Sequence, residues 1–396
     1  MSAPLHEPTT ATEIAACLAR AAAEGYGLVP RGSGTKPGWN GTPSEGAALS
    51  TRGLTSSIEH YAGDLVATVP AGTTLAEANA VIGRARQWLP LDPTHADRAT
   101  IGGIVATNDS GPRRHKYGSP RDLIIGVEVA LADGRVAKAG GRVVKNVAGY
   151  DLARLLCGSH GSLGVITSAT FKLAPAPPVS HTVVAQAPDL ARAVALAQSL
   201  AAAPVTPSAI EIQAPAARLL VRFESTERAA AQMADAVCRL LEHGGATTAR
   251  VSGNDEAEEW LRHDRLVWTP SACVVKISVL PTELASVFEA LGRATHTAEL
   301  RHDGDWAAVG RAALGVLLVR LGGSTVQQAD AITSLRRLIA GRSGHVTVLE
   351  GLADVRARVA PTGDRGSLGE LMRSVKRQFD PHGVLPAPPG VASLGP

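Results

Sequence analysis

At 396 residues the chain exceeds one average domain, so two domains of roughly 150 to 200 residues are expected, and a composition 45% hydrophobic and 19% charged is that of a globular protein with a sizeable core. A formal net charge of +3 gives no reason to expect a nucleic-acid or polybasic membrane binder. The cysteines, Cys17, Cys157, Cys238 and Cys273, form no CxxC pair and fit neither a disulfide framework nor a thiolate metal or iron–sulfur site, so reduced, mostly buried thiols in a cytoplasmic protein are expected.

The amino end shows no charged segment followed by an apolar run, so no signal peptide is expected. No stretch approaches the ~18 uninterrupted apolar residues of a membrane span. Work at a membrane would need a partner to carry the chain there. Thr10-Ala11-Thr12-Glu13 is a capping-box pattern, Ile14 and Leu18 follow at helical spacing, and Gly25 marks the stop of a first helix. Gly27-Leu28-Val29-Pro30 reads as a short strand running into the loop Arg31-Gly32-Ser33-Gly34-Thr35-Lys36-Pro37-Gly38. Leu65 to Val69 is another strand, and a helix resumes at Thr74 and runs to about Ala85. From Leu123 to Gly140 the pattern is a hairpin turning at Asp133-Gly134. Gly164–Thr167 and Ala169–Leu173 supply further strand material. Ala174-Pro175-Ala176-Pro177-Pro178 then breaks the pattern, because proline at this density supports neither helix nor sheet interior, and predicts a domain boundary.

Beyond it, two stretches look like copies of one unit. AIEI at 209–212 and LLVRF ending at Phe223 precede one helix; AELR at 298–301 and LLVRL ending at Leu321 precede another. Cys273 to Val279 adds a strand, with a helix after Pro281. The pattern predicts an antiparallel sheet backed by helices. The last 20 residues are rich in proline and glycine and are expected to lack regular structure.

Three glycine-rich segments carry the chemistry. A dinucleotide diphosphate needs several converging backbone N–H donors, and Gly32 and Gly34 let the main chain approach one closely. Pro37 stands where a Rossmann fingerprint has its third glycine, and no glycine precedes a Lys-Ser/Thr pair as in a Walker A loop. Alone, this loop reads equally well as a surface turn. Between Ala99 and Asn108, Gly102-Gly103 ahead of a small apolar run suits packing against a flat ring or phosphate, or tight helix packing. The third segment, 140–152, runs into 158–167, where Gly161 and Gly164 flank the entry to a strand. Ser159 and Ser162 make no hydrolase elbow, since neither has glycine at both minus two and plus two.

Together these segments resemble the FAD-binding domain of the vanillyl-alcohol oxidase and p-cresol methylhydroxylase type, over about residues 10–175. Within that family the chain resembles the FAD-binding subunit of bacterial glycolate oxidase. ATIGGIVATNDSGPRRHKYGSPRD at 99–122 and GGRVVKNVAGYDLARLLCGSHGSLGVIT at 140–167 carry the resemblance. It implies an α+β protein: a p-cresol methylhydroxylase-type FAD-binding domain over 1–175, an antiparallel-sheet cap domain backed by helices over 179–360, and a C-terminal tail over 361–396 returning toward the FAD domain. By the same resemblance Pro30, Arg31, Gly32, Ser33, Gly34 and Thr35 would cradle the FAD diphosphate. Ala99, Thr100, Gly102, Gly103 and Asn108 would line the diphosphate and flavin, and Gly161, Gly164, Val165 and Ile166 would pass the adenosine or ring side through backbone contacts. The family often attaches FAD covalently through a histidine in the first loop. Position 33 here is serine and the loop has no histidine, so FAD is expected to be non-covalent, with no metal site.

The chain also departs from relatives that oxidise 2-hydroxy acids. Their cap motif HAGDGNxH is matched only by Arg301-His302-Asp303-Gly304-Asp305-Trp306, the glutamate of GSEGTLG is His160, and the asparagine of DPxGxxNPG is Pro386. These departures imply a subunit of a glycolate oxidase-like complex, with a second flavoprotein subunit and an iron–sulfur subunit as partners and a small 2-hydroxy acid as substrate. Direct membrane insertion and nucleic-acid binding are not expected. A stand-alone FAD-dependent D-2-hydroxy-acid (lactate-type) dehydrogenase and a non-catalytic scaffold are the alternatives. Oxidising a 2-hydroxy acid needs a cation for the carboxylate, a base for the hydroxyl proton and flavin N5 as hydride acceptor. Arg222 and Arg320, equivalent in the two LLVR strands, and His115, Lys145, Tyr150 and His302 are candidates. Solvated arginines, a basic loop, packing and a surface histidine explain them as well, and no catalytic base is assigned.

Overall fold

Thr10 caps the helix Ala11–Glu24, its side chain accepting from the Glu13 N–H at 3.2 Å, and Gly25 ends it in the left-handed conformation. The reciprocal arm reaches one residue further back than the pattern implies: Glu13 Oε2 accepts from the Thr9 N–H at 2.7 Å. In this computed structural model the described residues are 5–39, 46–143, 149–269, 272–300, 305–340, 342, 344–360, 362, 366–388 and 390. Lys145 and the string from Arg301 to Gly304, with His302, lie outside them. The chain divides into two units: Met1–Gly111, Tyr117–Ala176 and Asp364–Pro396 form the first, and Pro112–Lys116 with Pro177–Gly363 the second.

The first unit has two main sheets. Leu5–His6, Ala47–Ser50 and Leu28–Arg31 run parallel, with Ala47–Ser50 in the middle. The other sheet is antiparallel and orders Glu59–Tyr61, Val66–Pro70, Val165–Lys172, Ile124–Ala130 and Val136–Gly140. Asp133-Gly134 turns the hairpin as predicted, the Gly134 N–H donating to the Leu131 carbonyl at 3.0 Å. Ile14, Leu18, Leu28, Leu49 and Phe171 are fully buried, and each contributes about 1.5–3 kcal/mol by leaving water. The proline-rich boundary is more regular than expected. Ala174–Pro175 pairs antiparallel with Gln87–Trp88, and the Ala176 N–H donates to the Arg86 carbonyl at 2.9 Å. A two-stranded ribbon tolerates proline because its outer side needs no donor.

The second unit is one eight-stranded antiparallel sheet. Its order is Thr247–Ser252, Val179–Gln186, Arg218–Ser225, Ala209–Ala214, Trp306–Arg311, Val316–Leu321, Cys273–Ser278 and His345–Glu350. Each half is a β-α-β-β-α-β unit with the same internal order, so the repeat is larger than the two short stretches suggest. The halves join at Ala209–Ala214 against Trp306–Arg311, with Ile212 opposite Gly310 at the centre. One expected strand is corrected. Ala298-Glu299-Leu300 is the end of the helix Leu284–Thr297, where Glu299 turns left-handed and the Leu300 N–H closes on the Thr295 carbonyl at 2.9 Å. The second LLVR strand pairs with Trp306–Arg311, in the place expected of AELR, and on its other side with Cys273–Ser278.

Alternation sorts the faces. Leu219, Val221 and Phe223, like Leu317, Val319 and Leu321, enter the apolar core under the helices. Leu220, Arg222 and Arg320 lie at the alternate positions. Gly366–Phe379 is the last helix, and no regular structure is described after it. Among the described residues no helix is long and apolar enough to cross a membrane.

Candidate functional site

The strand Leu28–Arg31 delivers its loop to the edge of a cleft of about 310 Å³ in the first unit. Pro30, Arg31, Gly32, Ser33, Gly34 and Thr35 form one wall. Thr100, Gly102 and Gly103, with Ala106 and Thr107 of the helix Ile101–Thr107, form another, and Gly161, Gly164, Val165 and Ile166 a third. The N–H groups of Gly32, Ser33, Gly34 and Thr35 donate to no acceptor among the described residues. Four consecutive N–H groups without a partner among the described residues are what an anionic diphosphate requires.

The walls are tied to one another. A Cβ on Gly32 would stand 2.1 Å from Thr100 Oγ1, so this glycine is needed for the loop to close on Thr100. A Cβ on Gly103 would meet only Thr100 Oγ1, at 3.3 Å, with the rest of its surroundings open. The third wall caps the helix behind the second: the Gly158 and His160 N–H groups donate to the Val105 and Ala106 carbonyls at 2.9 and 2.7 Å. Ser33 Oγ donates to the Arg98 carbonyl at 2.5 Å. Lys36, almost fully buried, pins the loop by pairing with Asp109 at 3.2 Å and donating to the Thr94 carbonyl at 3.3 Å.

Two of the expected residues stand behind the lining. Ala99 is buried and its carbonyl accepts from the Leu75 N–H at 3.0 Å. Asn108 ends the helix in the left-handed conformation, and its Oδ1 accepts from the Arg121 N–H at 3.2 Å. Conversely Lys36, Pro37, Thr51, Ala106, Thr107 and His160 line the cleft without having been singled out as site residues. His160 sits inside the quoted glycine-rich string, and that was the available signal. Tyr150 is 92% exposed.

In the second unit, the sheet face opposite the apolar core carries buried charges under the helix Gly253–Arg265. Arg222 is not a solvated strand arginine. It is buried against Glu256, Nε to Oε1 3.3 Å, and lies 3.8 Å over the Trp260 ring. Trp260 Nε1 donates to Thr182 Oγ1 at 2.9 Å, and Thr182 in turn donates to Glu256 at 2.6 Å. Arg320 Nε donates to the Leu266 carbonyl at 2.9 Å. Glu211, 1% exposed, has His263 Nε2 at 3.2 Å and Arg311 Nε at 3.8 Å. His263 Nδ1 is 3.0 Å from Gln213 Nε2. His115 sits in the short helix Arg114–Tyr117; burial pushes its imidazole below the ordinary range, and the Glu211 carboxylate acts the other way. Just before it, Arg113 makes a two-pronged bond to Glu224 Oε1 at 2.9 and 2.8 Å. Glu211, His263 and Arg311 were not readable as a group, because strand register and a distant helix bring them together.

Residues 3–140 match the family described as FAD binding domain, and FAD is the cofactor of this unit. The chain is 35% identical over 205 residues to glycolate oxidase subunit GlcD of Bacillus subtilis, covering 52% of this chain and 44% of that one. It is 41% identical over 154 residues to glycolate oxidase subunit GlcE of Escherichia coli, covering 39% and 44%. The chain thus spans less than half the length of these two curated relatives. To D-2-hydroxyglutarate dehydrogenase of Xanthomonas citri pv. viticola it is 27% identical over 419 residues, covering 96% and 87%. The solved structure of an alkyldihydroxyacetonephosphate synthase superposes with a TM-score of 0.71 at 18% identity, covering 96% of this chain and 76% of that one. A chitooligosaccharide oxidase gives 0.69 at 14%, covering 98% and 93%. Those two share the fold.

Proposed function

We propose that the chain is the FAD-binding subunit of a glycolate oxidase-like dehydrogenase complex, of the GlcE kind. It would take electrons from a small 2-hydroxy acid in concert with a second flavoprotein subunit and an iron–sulfur subunit. The observation that carries the reading is the row of N–H groups at Gly32–Thr35 facing a cleft in a segment that matches an FAD-binding family. In this reading Pro30 to Thr35 hold the diphosphate, Thr100, Gly102 and Gly103 pack along diphosphate and flavin, and Gly161, Gly164, Val165 and Ile166 pass the adenosine or ring side by backbone. Ala99 and Asn108 support that lining from behind. The cofactor supplies a hydride acceptor at flavin N5. Position 33 is serine and the loop 31–38 carries no histidine, which supports non-covalent FAD.

Glycolate and D-lactate added anaerobically to the purified yellow chain test the reading. No bleaching alone, and bleaching once the partner subunits are added, is the expected result. Bleaching of the isolated chain would establish instead the stand-alone D-2-hydroxy-acid dehydrogenase, the reading favoured by the near full-length alignment with a D-2-hydroxyglutarate dehydrogenase. A colourless chain that still stimulates its partners would make it a scaffold.

A further inference from the structure

Lys376 and Asp380 are buried in the first unit, their side chains 2% and 0% exposed, and neither lines the cleft. An ammonium has three donors, and this one directs them to three acceptors: the Asp380 carboxylate, the Ser162 carbonyl at 2.8 Å and the Leu385 carbonyl at 3.0 Å. Asp380 in turn accepts from the Val384 and Leu385 N–H groups at 2.9 and 2.8 Å. The segment so fixed reaches a second wall of the cleft, because the Val384 carbonyl accepts from the N–H of Leu28, the first residue of the strand that ends in Pro30 and Arg31. Ser162 lies between Gly161 and Gly164 of the third wall. One buried ion pair therefore holds the backbone of one wall directly, at Ser162, and that of another through Val384, without lining the cleft itself.

We infer that Lys376 is a positioning residue for the cofactor: with Asp380 it sets the spacing between the strand Leu28–Arg31 and the loop 160–164. This rests on the reading that the cleft holds FAD. Lys376→Met removes the ammonium while Asp380 keeps its two N–H partners. Two walls held less firmly should accept FAD more weakly, because a backbone cradle binds through the fixed placing of its donors.

Titration of the flavin-free protein with FAD, followed by flavin fluorescence, tests this. Lys376→Met is expected to raise the FAD dissociation constant at least tenfold and to change the visible circular dichroism of the bound flavin. A clamp that only stabilises the fold would lower the melting temperature but leave the affinity of the folded protein within twofold and the dichroism unchanged, which would overturn the inference. Hydrogen exchange on the wild-type chain decides the matter should the variant not fold. FAD is expected to slow exchange at Val384 and Leu385 together with Leu28, and unchanged exchange there would overturn the inference. Gly103→Val separates the two failures. FAD retained in Gly103→Val would mean that the cleft itself is misread, whereas FAD lost there but unaffected in Lys376→Met would reject only the role of Lys376.

Discussion

Glu211 and Arg311 stand opposite each other across the seam where the two halves of the large sheet join, Oε1 and Nε 3.8 Å apart and both buried. Breaking a buried ion pair costs up to about 3–5 kcal/mol in a low-dielectric interior, here with His263 Nε2, 3.2 Å away, as the neighbour Glu211 keeps. Arg311→Gln should therefore destabilise the second unit on that scale, and Glu211→Gln comparably. The double variant should lose clearly less than the sum, since removing both charges removes the penalty with them. Urea unfolding of the four proteins measures the coupling. Additivity within about 0.5 kcal/mol would show that the pair is not coupled.

Gly32→Val and Gly103→Val should fail differently. At position 32 the new Cβ collides with Thr100 inside the protein, so overpacking of about 1–3 kcal/mol should appear in the flavin-free chain. Gly103 lies in a helix with open space beside it. Replacing it should leave flavin-free stability unchanged or raise it, since an interior helical glycine costs roughly 0.5–1 kcal/mol. Its effect should fall on FAD alone. Thermal melts with and without FAD separate the two, and equal loss of stability in both variants would contradict this assignment.

Acid precipitation should release all flavin to the supernatant. Position 33 is serine and the loop 31–38 carries no histidine to which FAD could be tethered. Among the described residues His160 is the histidine that lines the cleft. A yellow pellet from the wild type that turns colourless in His160→Ala would reveal a tether at that residue and refute the non-covalent assignment.

Burial pushes the Cys157 and Cys273 thiols up to about 12. At pH 8 both should resist maleimide until the protein unfolds, while the part-exposed Cys17 and Cys238 react. A thiol raised in the fold stays protonated where the unfolded one, at about 8.5, has already ionised. Its burial therefore contributes stability that is whole below that value and is lost as pH rises toward 12. Unfolding free energy measured from pH 8 to 11 should fall less steeply in Cys157→Ala/Cys273→Ala than in the wild type.

The first unit was legible where signals are local. Thr10, Glu13 and Gly25 delimit a helix by capping chemistry, Asp133-Gly134 turns a hairpin, and the loop at 31–35 stands on the cleft with Gly161, Gly164, Val165 and Ile166. Ala99 and Asn108 share the same string but sit behind the lining, a distinction set by helix phase and capping. The second unit was readable only as a sheet with helices. AELR looks like a strand because Leu300 is apolar, yet Leu300 is buried as part of a helix ending. The strand that does form, Trp306–Arg311, is rich in alanine and gives little β signal. Contacts such as Lys376 to Ser162, 214 residues apart, leave no trace in local pattern.

The matching order of strands in the two halves makes the seam an internal two-fold axis passing between Ile212 and Gly310. Glu211 then corresponds to Val309 and Gln213 to Arg311, and the seam pairs Glu211 with Arg311 on one side and Gln213 with Val309 on the other. The two halves have thus kept one scaffold while placing charge on a single side of the axis. Cut free, either half would present its joining strand as an open edge with unpaired N–H and C=O groups. Such a half is expected to associate with another copy of itself, because the surface it exposes is the one it was shaped to cover.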